Sequence, residues 1–184
     1  MNTSGLDDRL AYDRRTRRLH WLTAVLVAFM WIGAHAIDWF PRGPLRVDAR
    51  SVHIVVGVAL GAIVLYRVIW RNTQGSRLPY LPGWQGVLAR LVHLALYALI
   101  VGIVGLGVLN AWVRGDSLFN LARIPAFGSY DTAARHALSE SVVGFHALGA
   151  NLLLVLAFGH AAMALVHHYV LKDNLLGRML PRGG

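Results

Sequence analysis

A bilayer core needs about 20 apolar residues of helix to cross it, and four stretches of this sequence qualify: Leu19 to Phe40, Ser51 to Trp70, Val87 to Val113 and Ser141 to Leu171. With 56% hydrophobic and only 15% charged residues, the chain is too apolar for an ordinary soluble domain. The fold expected is all-α, an integral membrane four-helix bundle, with residues 1–184 forming one transmembrane domain. Pro41 and Pro44 are expected to end the first span, Pro79 and Pro82 to fill the second connection, and Pro125 to interrupt the third, each where no interior helix hydrogen bond is wanted. The fourth span is longer than a crossing requires, so its last turns should project from the bilayer or tilt strongly.

Four spans put both termini on one side. That side collects Arg9, Arg14, Arg15, Arg17, Arg18, Arg67, Arg71, Arg77, Arg90, Lys172, Arg178 and Arg182; the other holds Arg42, Arg46, Arg50, Arg114, Arg123 and Arg135. The positive-inside bias then places both termini in the cytoplasm of a bacterial inner membrane. No small-residue cleavage site follows the first run, which reads as a retained helix despite the charged segment from Asp7, Asp8 and Arg9 onward. Trp21, Trp39, Trp70, Trp112 and Tyr169 lie near span ends, as an interfacial aromatic belt does. The net charge of +9 is accounted for by arginines at the membrane surface and implies no nucleic-acid partner. There is no cysteine, which excludes disulfides, thiolate metal sites, iron–sulfur clusters and covalently attached c-type haem.

The chemistry rests on nine histidines, most of them inside spans. Polar side chains there are costly and usually face the bundle interior. His146 and His160 are fourteen residues apart on the fourth span, which puts them on one stripe about 21 Å apart along the axis. That separation suits two haems stacked at different depths. A six-coordinate haem iron needs a second axial ligand, and topology matches His53 with His146 near the outer face and His20 with His160 near the inner face. His35 competes with His53, and His93 with His20; packing, a propionate contact or a hydrogen bond to quinone is the alternative role for both. Gly57, Gly61, Gly102, Gly105, Gly107, Gly144 and Gly149 leave room either for a flat macrocycle or for close helix packing.

The motifs Arg18-Leu19-His20-Trp21-Leu22, Val52-His53-Ile54 followed by Gly57, His93-Leu94-Ala95-Leu96-Tyr97, Phe145-His146, and His160 with His167-His168-Tyr169 and Lys172-Asp173-Asn174 span nearly the whole chain. In order and spacing they resemble the bacterial cytochrome b561 family, and most of all its small stand-alone members of superoxide:ubiquinone oxidoreductase (superoxide oxidase) type. The resemblance implies two non-covalent b-type haems with axial pairs His20/His160 and His53/His146. It implies ubiquinone or another quinone as acceptor near the inner haem, and superoxide or another periplasmic redox donor at the outer face. By the same resemblance His167 is the candidate catalytic residue, for quinone contact or proton delivery. The chain departs from the family in having Val92 where Gly often precedes the helix-three histidine, and Thr16, Arg17 and Arg18 before His20.

The function expected is therefore that of an oxidoreductase, a transmembrane di-haem cytochrome b passing electrons from a periplasmic donor to membrane quinone. A second reading makes the chain a haem-bearing membrane anchor that docks a periplasmic dehydrogenase on the loop from Pro41 to Arg50 and the segment from Arg114 to Glu140, where Asp131 to Leu138 form a brief surface helix. A third, a haem-free proton-relaying transporter, suffers from a shortage of carboxylates: Asp38 and Glu140 lie only at span ends.

Overall fold

Each apolar run folds as one long helix that overruns the run. The computed structural model describes residues 11–76, 78, 83–173 and 175–180; the expectations for Asp7, Asp8, Arg9, Arg77, Pro79, Pro82, Asn174 and Arg182 lie outside the described residues. Helix α1 spans Arg14–Ala36 and tightens into a 3₁₀ turn at Ile37–Trp39. Helix α2 spans Pro44–Thr73, α3 Gly83–Arg114, and α4 Thr132–Val166, the last continuing as a π-helical turn at His167–Leu171. All four are long and apolar enough to cross a membrane.

Capping chemistry accounts for the extra length. Asp13 caps α1, its carboxylate accepting the Thr16 N–H at 2.8 Å and the Thr16 hydroxyl at 2.6 Å. Asp131 caps α4 through the Ala134 N–H at 2.7 Å. The residues from Asp131 to Leu138, expected as a separate surface helix, are therefore the cap and opening turns of α4 itself. Pro44 corrects a second expectation: it starts α2 instead of closing the first span. Gly43, at φ 151°, supplies a backbone geometry that side chains disfavour, and a proline at the first helical position loses no hydrogen bond.

At the hairpin end of the bundle, where α1 meets α2 and α3 meets α4, the third connection contains a two-stranded ribbon, β1 (Ser117–Leu118) and β2 (Ala122–Arg123). Phe119 and Asn120 both have positive φ, and Leu121 N–H bonds the Leu118 carbonyl at 2.9 Å, a type I′ arrangement. Nothing in the sequence reading anticipated this ribbon, because strands of two residues leave no alternating pattern. Buried Ser51 fastens it to α2: its hydroxyl accepts the Phe119 N–H at 2.8 Å and lies 3.2 Å from the Ser117 carbonyl. At the opposite, termini end, Tyr12 N–H bonds the Arg178 carbonyl and Trp21 Nε1 donates to the Met179 carbonyl, so the start of α1 meets the segment that follows α4.

In the middle of the bundle Leu60 and Val64 of α2, Ile100 of α3 and Leu153 of α4 form the buried core, with Leu26 and Met30 of α1 packed against it. Backbones approach closely between α1 and α2, α2 and α3, and α3 and α4, while α1 and α4 meet through side chains, as where Trp31 Nε1 donates to Asn151 Oδ1 at 3.1 Å. Two glycines permit that proximity: a Cβ on Gly61 would fall 2.9 Å from Val104 Cγ1, and one on Gly149 3.0 Å from Ile103 Cγ1. Gly102, Gly105 and Gly144 face open space. Large apolar side chains such as Val25, Leu65, Leu94, Val155 and Phe158 are exposed on the bundle's exterior, the surface that lipid covers.

Candidate functional site

Two levels of the bundle hold facing imidazoles. Helices α2 and α4 run in the same direction, from the hairpin end to the termini end, so His53 and His146 lie at one level. Their ring centres are 6.1 Å apart. His20 opens α1 at the termini end, where α4 delivers His160, and these ring centres are 6.3 Å apart. Two imidazoles on opposite sides of one metal, each nitrogen about 2 Å from it and roughly 1.1 Å from its own ring centre, have centres ~6.2 Å apart. Rotation about the metal–nitrogen axis leaves the angle between ring planes free, and here it is 67° and 72°.

At the hairpin-end level the pair opens on a cavity of about 430 Å³ lined by His53, His146, Met30, Gly57, Leu60 and Gly107, among others. A volume of this order suits a cofactor. His146 is oriented from α3: its Nδ1–H donates to the Ile103 carbonyl at 2.9 Å. A carbonyl only accepts, so Nε2 keeps its lone pair. Gly107 makes space for that ring, since a Cβ there would lie 3.1 Å from His146 Cε1. Among the described residues His53 Nδ1 is buried without a hydrogen-bond partner, the condition of a polar atom whose partner is supplied from outside the chain.

The termini-end level adds two side chains to its pair. His93 of α3 brings its ring centre to 5.2 Å from that of His160, too close for a metal between them, and bonds the Ala89 carbonyl on its own helix. Arg67 of α2 is 7% exposed; one guanidinium nitrogen donates to His20 Nδ1 at 3.0 Å and the group lies 5.4 Å from the centre of the Tyr97 ring. Because arginine only donates, Nδ1 is the lone-pair nitrogen of His20 here. A ligand role for His20 Nε2 therefore requires Arg67 to release Nδ1.

Among the described residues no three His, Asp or Glu side chains converge as a bare metal ion would need. Opposed imidazole pairs fit a macrocycle that brings its own equatorial donors. His35, the competitor for His53, lines the same cavity but lies at the bundle's exposed edge, with Nδ1–H donating to the Trp31 carbonyl at 2.8 Å and its ring 4.3 Å from that of Trp31.

His167 lies in the π-helical turn, where Nδ1–H meets Asp173 Oδ2 at 2.5 Å. The left-handed Lys172 (φ 55°) turns the chain so that Asp173 comes back beneath that helix end. Among the described residues His168 Nδ1 is buried without a hydrogen-bond partner, and its ring contacts Tyr169. Thr16, considered above beside His20, is 1% exposed and bonded to Asp13, while Arg17 donates to the Leu180 carbonyl. At the hairpin end Arg50 and Arg114 flank the buried Asp116 at 3.5 and 3.3 Å, all three lining the cavity of His53 and His146.

Sequence reasoning missed Arg67, treating it as one more surface cation. The signal was present: it falls inside the span expected from Ser51 to Trp70, and an ionisable residue within a span is a functional candidate by default. Gly107 was noted only generally, because which ring it admits depends on helix rotation.

The family model described as prokaryotic cytochrome b561 matches residues 11–182. The chain belongs to the prokaryotic cytochrome b561 family. Among its relatives, cytochrome b561 homolog 1 of Escherichia coli (strain K12) is 32% identical over 168 residues, 89% of this chain and 93% of the relative. Cytochrome b562 of Cereibacter sphaeroides is 31% identical over 92% of this chain and 94% of its own length. A Yersinia pestis protein named probable superoxide oxidase CybB is 28% identical over 89% of this chain and 92% of its own. As a member of the cytochrome b561 family the chain is a bacterial membrane electron-transfer cytochrome that binds b-type haem, which bears out the resemblance drawn from the histidine motifs.

Proposed function

We propose that this cytochrome takes single electrons from superoxide at the periplasmic face and delivers them to a quinone at the cytoplasmic face, with two haems held by His53/His146 and His20/His160. The observation that carries the reading is the pair of facing imidazole pairs, each at metal-bridging separation, set fourteen residues apart along α4. Bound there, haem supplies a one-electron couple at each level of the bundle.

The remaining steps belong to side chains. Arg46 is paired with Asp38, whereas Arg50 and Arg114 share the single carboxylate of Asp116 at the cavity wall. That leaves a local positive excess to draw in a small anion, although the outer face as a whole is nearly balanced. Two superoxide ions yield two molecules of dioxygen and two electrons; a quinone takes both electrons with two protons to become quinol. His167, hydrogen-bonded at the termini end to the partly exposed Asp173, is the group we assign to proton delivery. The relative named as a probable superoxide oxidase supports the choice of donor, and the excess of cations at the termini side supports the orientation.

Stopped-flow mixing of the oxidised purified protein with superoxide tests the reading. Haem reduction faster than spontaneous dismutation, with quinol accumulating at one per two superoxide, is the expected result. No reduction beyond the uncatalysed rate removes that donor, and copurification of native protein with a soluble dehydrogenase would favour the docking role instead.

A further inference from the structure

Helix α2 carries one inward stripe: His53, Gly57, Leu60, Val64 and Arg67, each three or four residues from the last. Its ends are fourteen residues apart, the same interval that separates His146 from His160 on the parallel helix α4. Arg67 therefore occupies, at the termini-end level, the place that His53 occupies at the hairpin-end level. Its contacts agree with that register, since it bonds His20 at 3.0 Å and lies over Tyr97.

This guanidinium is unusual in what surrounds it. It is 7% exposed, its Nε is buried without a hydrogen-bond partner, and among the described residues no carboxylate forms an ion pair with it. Tyr97, His20 and, one turn further along α2, Arg71 are its neighbours. A cation so little exposed, with no carboxylate partner among the described residues, keeps a strong field at short range. The arginines at the other level differ: Arg50 and Arg114 sit on Asp116, with side chains 29% and 34% exposed.

We propose that Arg67 is a fixed positive charge that raises the reduction potential of the inner haem relative to the outer one and so gives electron transfer across the bundle its direction. Reduction lowers the charge of a haem site by one, and a nearby uncompensated cation favours the reduced form. The effect needs the charge and not one particular hydrogen bond, so it persists when Arg67 releases His20 Nδ1. The inference rests on the di-haem reading above and adds a residue that tunes one of the two sites.

Optical redox titration of the purified, haem-loaded protein tests it in wild type, Arg67→Gln and Arg67→Lys, with the haems assigned by repeating the titration in His53→Ala. Arg67→Gln should make reduction of the inner haem at least tenfold less favourable, a fall of about 59 mV for one electron, and leave the outer haem unchanged. Arg67→Lys, which keeps the charge, should hold the inner haem within threefold of wild type. Unchanged potentials in Arg67→Gln, equal falls at both haems, or an equal fall in Arg67→Lys would overturn the proposal. Should Arg67→Gln fail to retain the inner haem, the lysine variant decides, and a tenfold loss there overturns it. A wild-type protein lacking a second haem would instead remove the underlying reading.

Discussion

The Nδ1–H of His146, on α4, donates to the backbone carbonyl of Ile103, on α3, at 2.9 Å. The bond fixes both the tautomer and the azimuth of the ring, and it turns Nε2 toward the cavity shared with His53. Such an approach to a helix backbone is open only because Gly107, one turn further along α3, has no side chain.

Filling that space is expected to displace the ring. Gly107→Ala puts a carbon 3.1 Å from His146 Cε1, which a small tilt absorbs, so haem content should fall partially. Gly107→Val leaves no such escape and should lower haem from two to one per polypeptide, read by pyridine haemochromogen analysis. Full retention in Gly107→Val would show that His146 is not positioned in this way.

Asp13 ties the start of α1 to the end of α2. Burial alone would raise its pKa, but hydrogen bonds from the Thr16 hydroxyl, the Thr16 and Ser76 N–H groups and Trp70 Nε1 hold the carboxyl well below the usual carboxylate range. A depressed folded-state pKa means stability that is present above the unfolded value, about 3.9, and lost as pH falls through the folded one. Asp13→Ala should therefore cost about 1–2 kcal/mol at neutral pH. Thermal unfolding in detergent should show a constant gap from wild type between pH 8 and 5 that narrows below pH 4; a gap that widens in acid would contradict this.

The ribbon over the hairpin-end cavity hangs on Ser51. Replacing it with alanine removes the acceptor of the part-buried Phe119 N–H, a loss of about 1 kcal/mol. Amide hydrogen exchange across Ser117–Arg123 should accelerate at least tenfold in Ser51→Ala while α4 stays protected. Unaltered exchange would mean that the ribbon is held by Asn120, through Asp48 and the Pro44 carbonyl, instead.

The proton delivery proposed for His167 is separable from haem binding in a single variant. His167→Ala is expected to slow quinone reduction about 100-fold, at the low end of general acid–base contributions, with both haems retained. Asp173→Asn, which still accepts the Nδ1–H, should slow it less. Wild-type quinone reduction in His167→Ala would leave the residue a helix-terminal packing group.

Much of this architecture was legible in the sequence because a bilayer imposes length and composition on every span. The four runs follow from composition, and the juxtaposition of His53 with His146 on parallel helices and of His20 with His160 on antiparallel ones follows from counting residues along them. The projection expected of the long fourth span is seen in the π-helical turn after Val166 and in the residues after it, which fold back onto Trp21. What stayed hidden depends on rotation and local capping. Pro44 reads equally as a stop or a start until Gly43 adopts positive φ. Arg67 and Arg71 look alike in sequence and lie on the same face of α2, but only Arg67 is buried.

The most direct test of the two-level arrangement is haem stoichiometry with reduced-minus-oxidised spectra for wild type and for alanine substitutions of His20, His53, His146, His160, His35 and His93. Two haems per polypeptide are expected in wild type, His35→Ala and His93→Ala, and loss of one six-coordinate haem in each of the other four. Retention of both haems in any of those four, or loss of one in His35→Ala or His93→Ala, would contradict the assignment of the pairs.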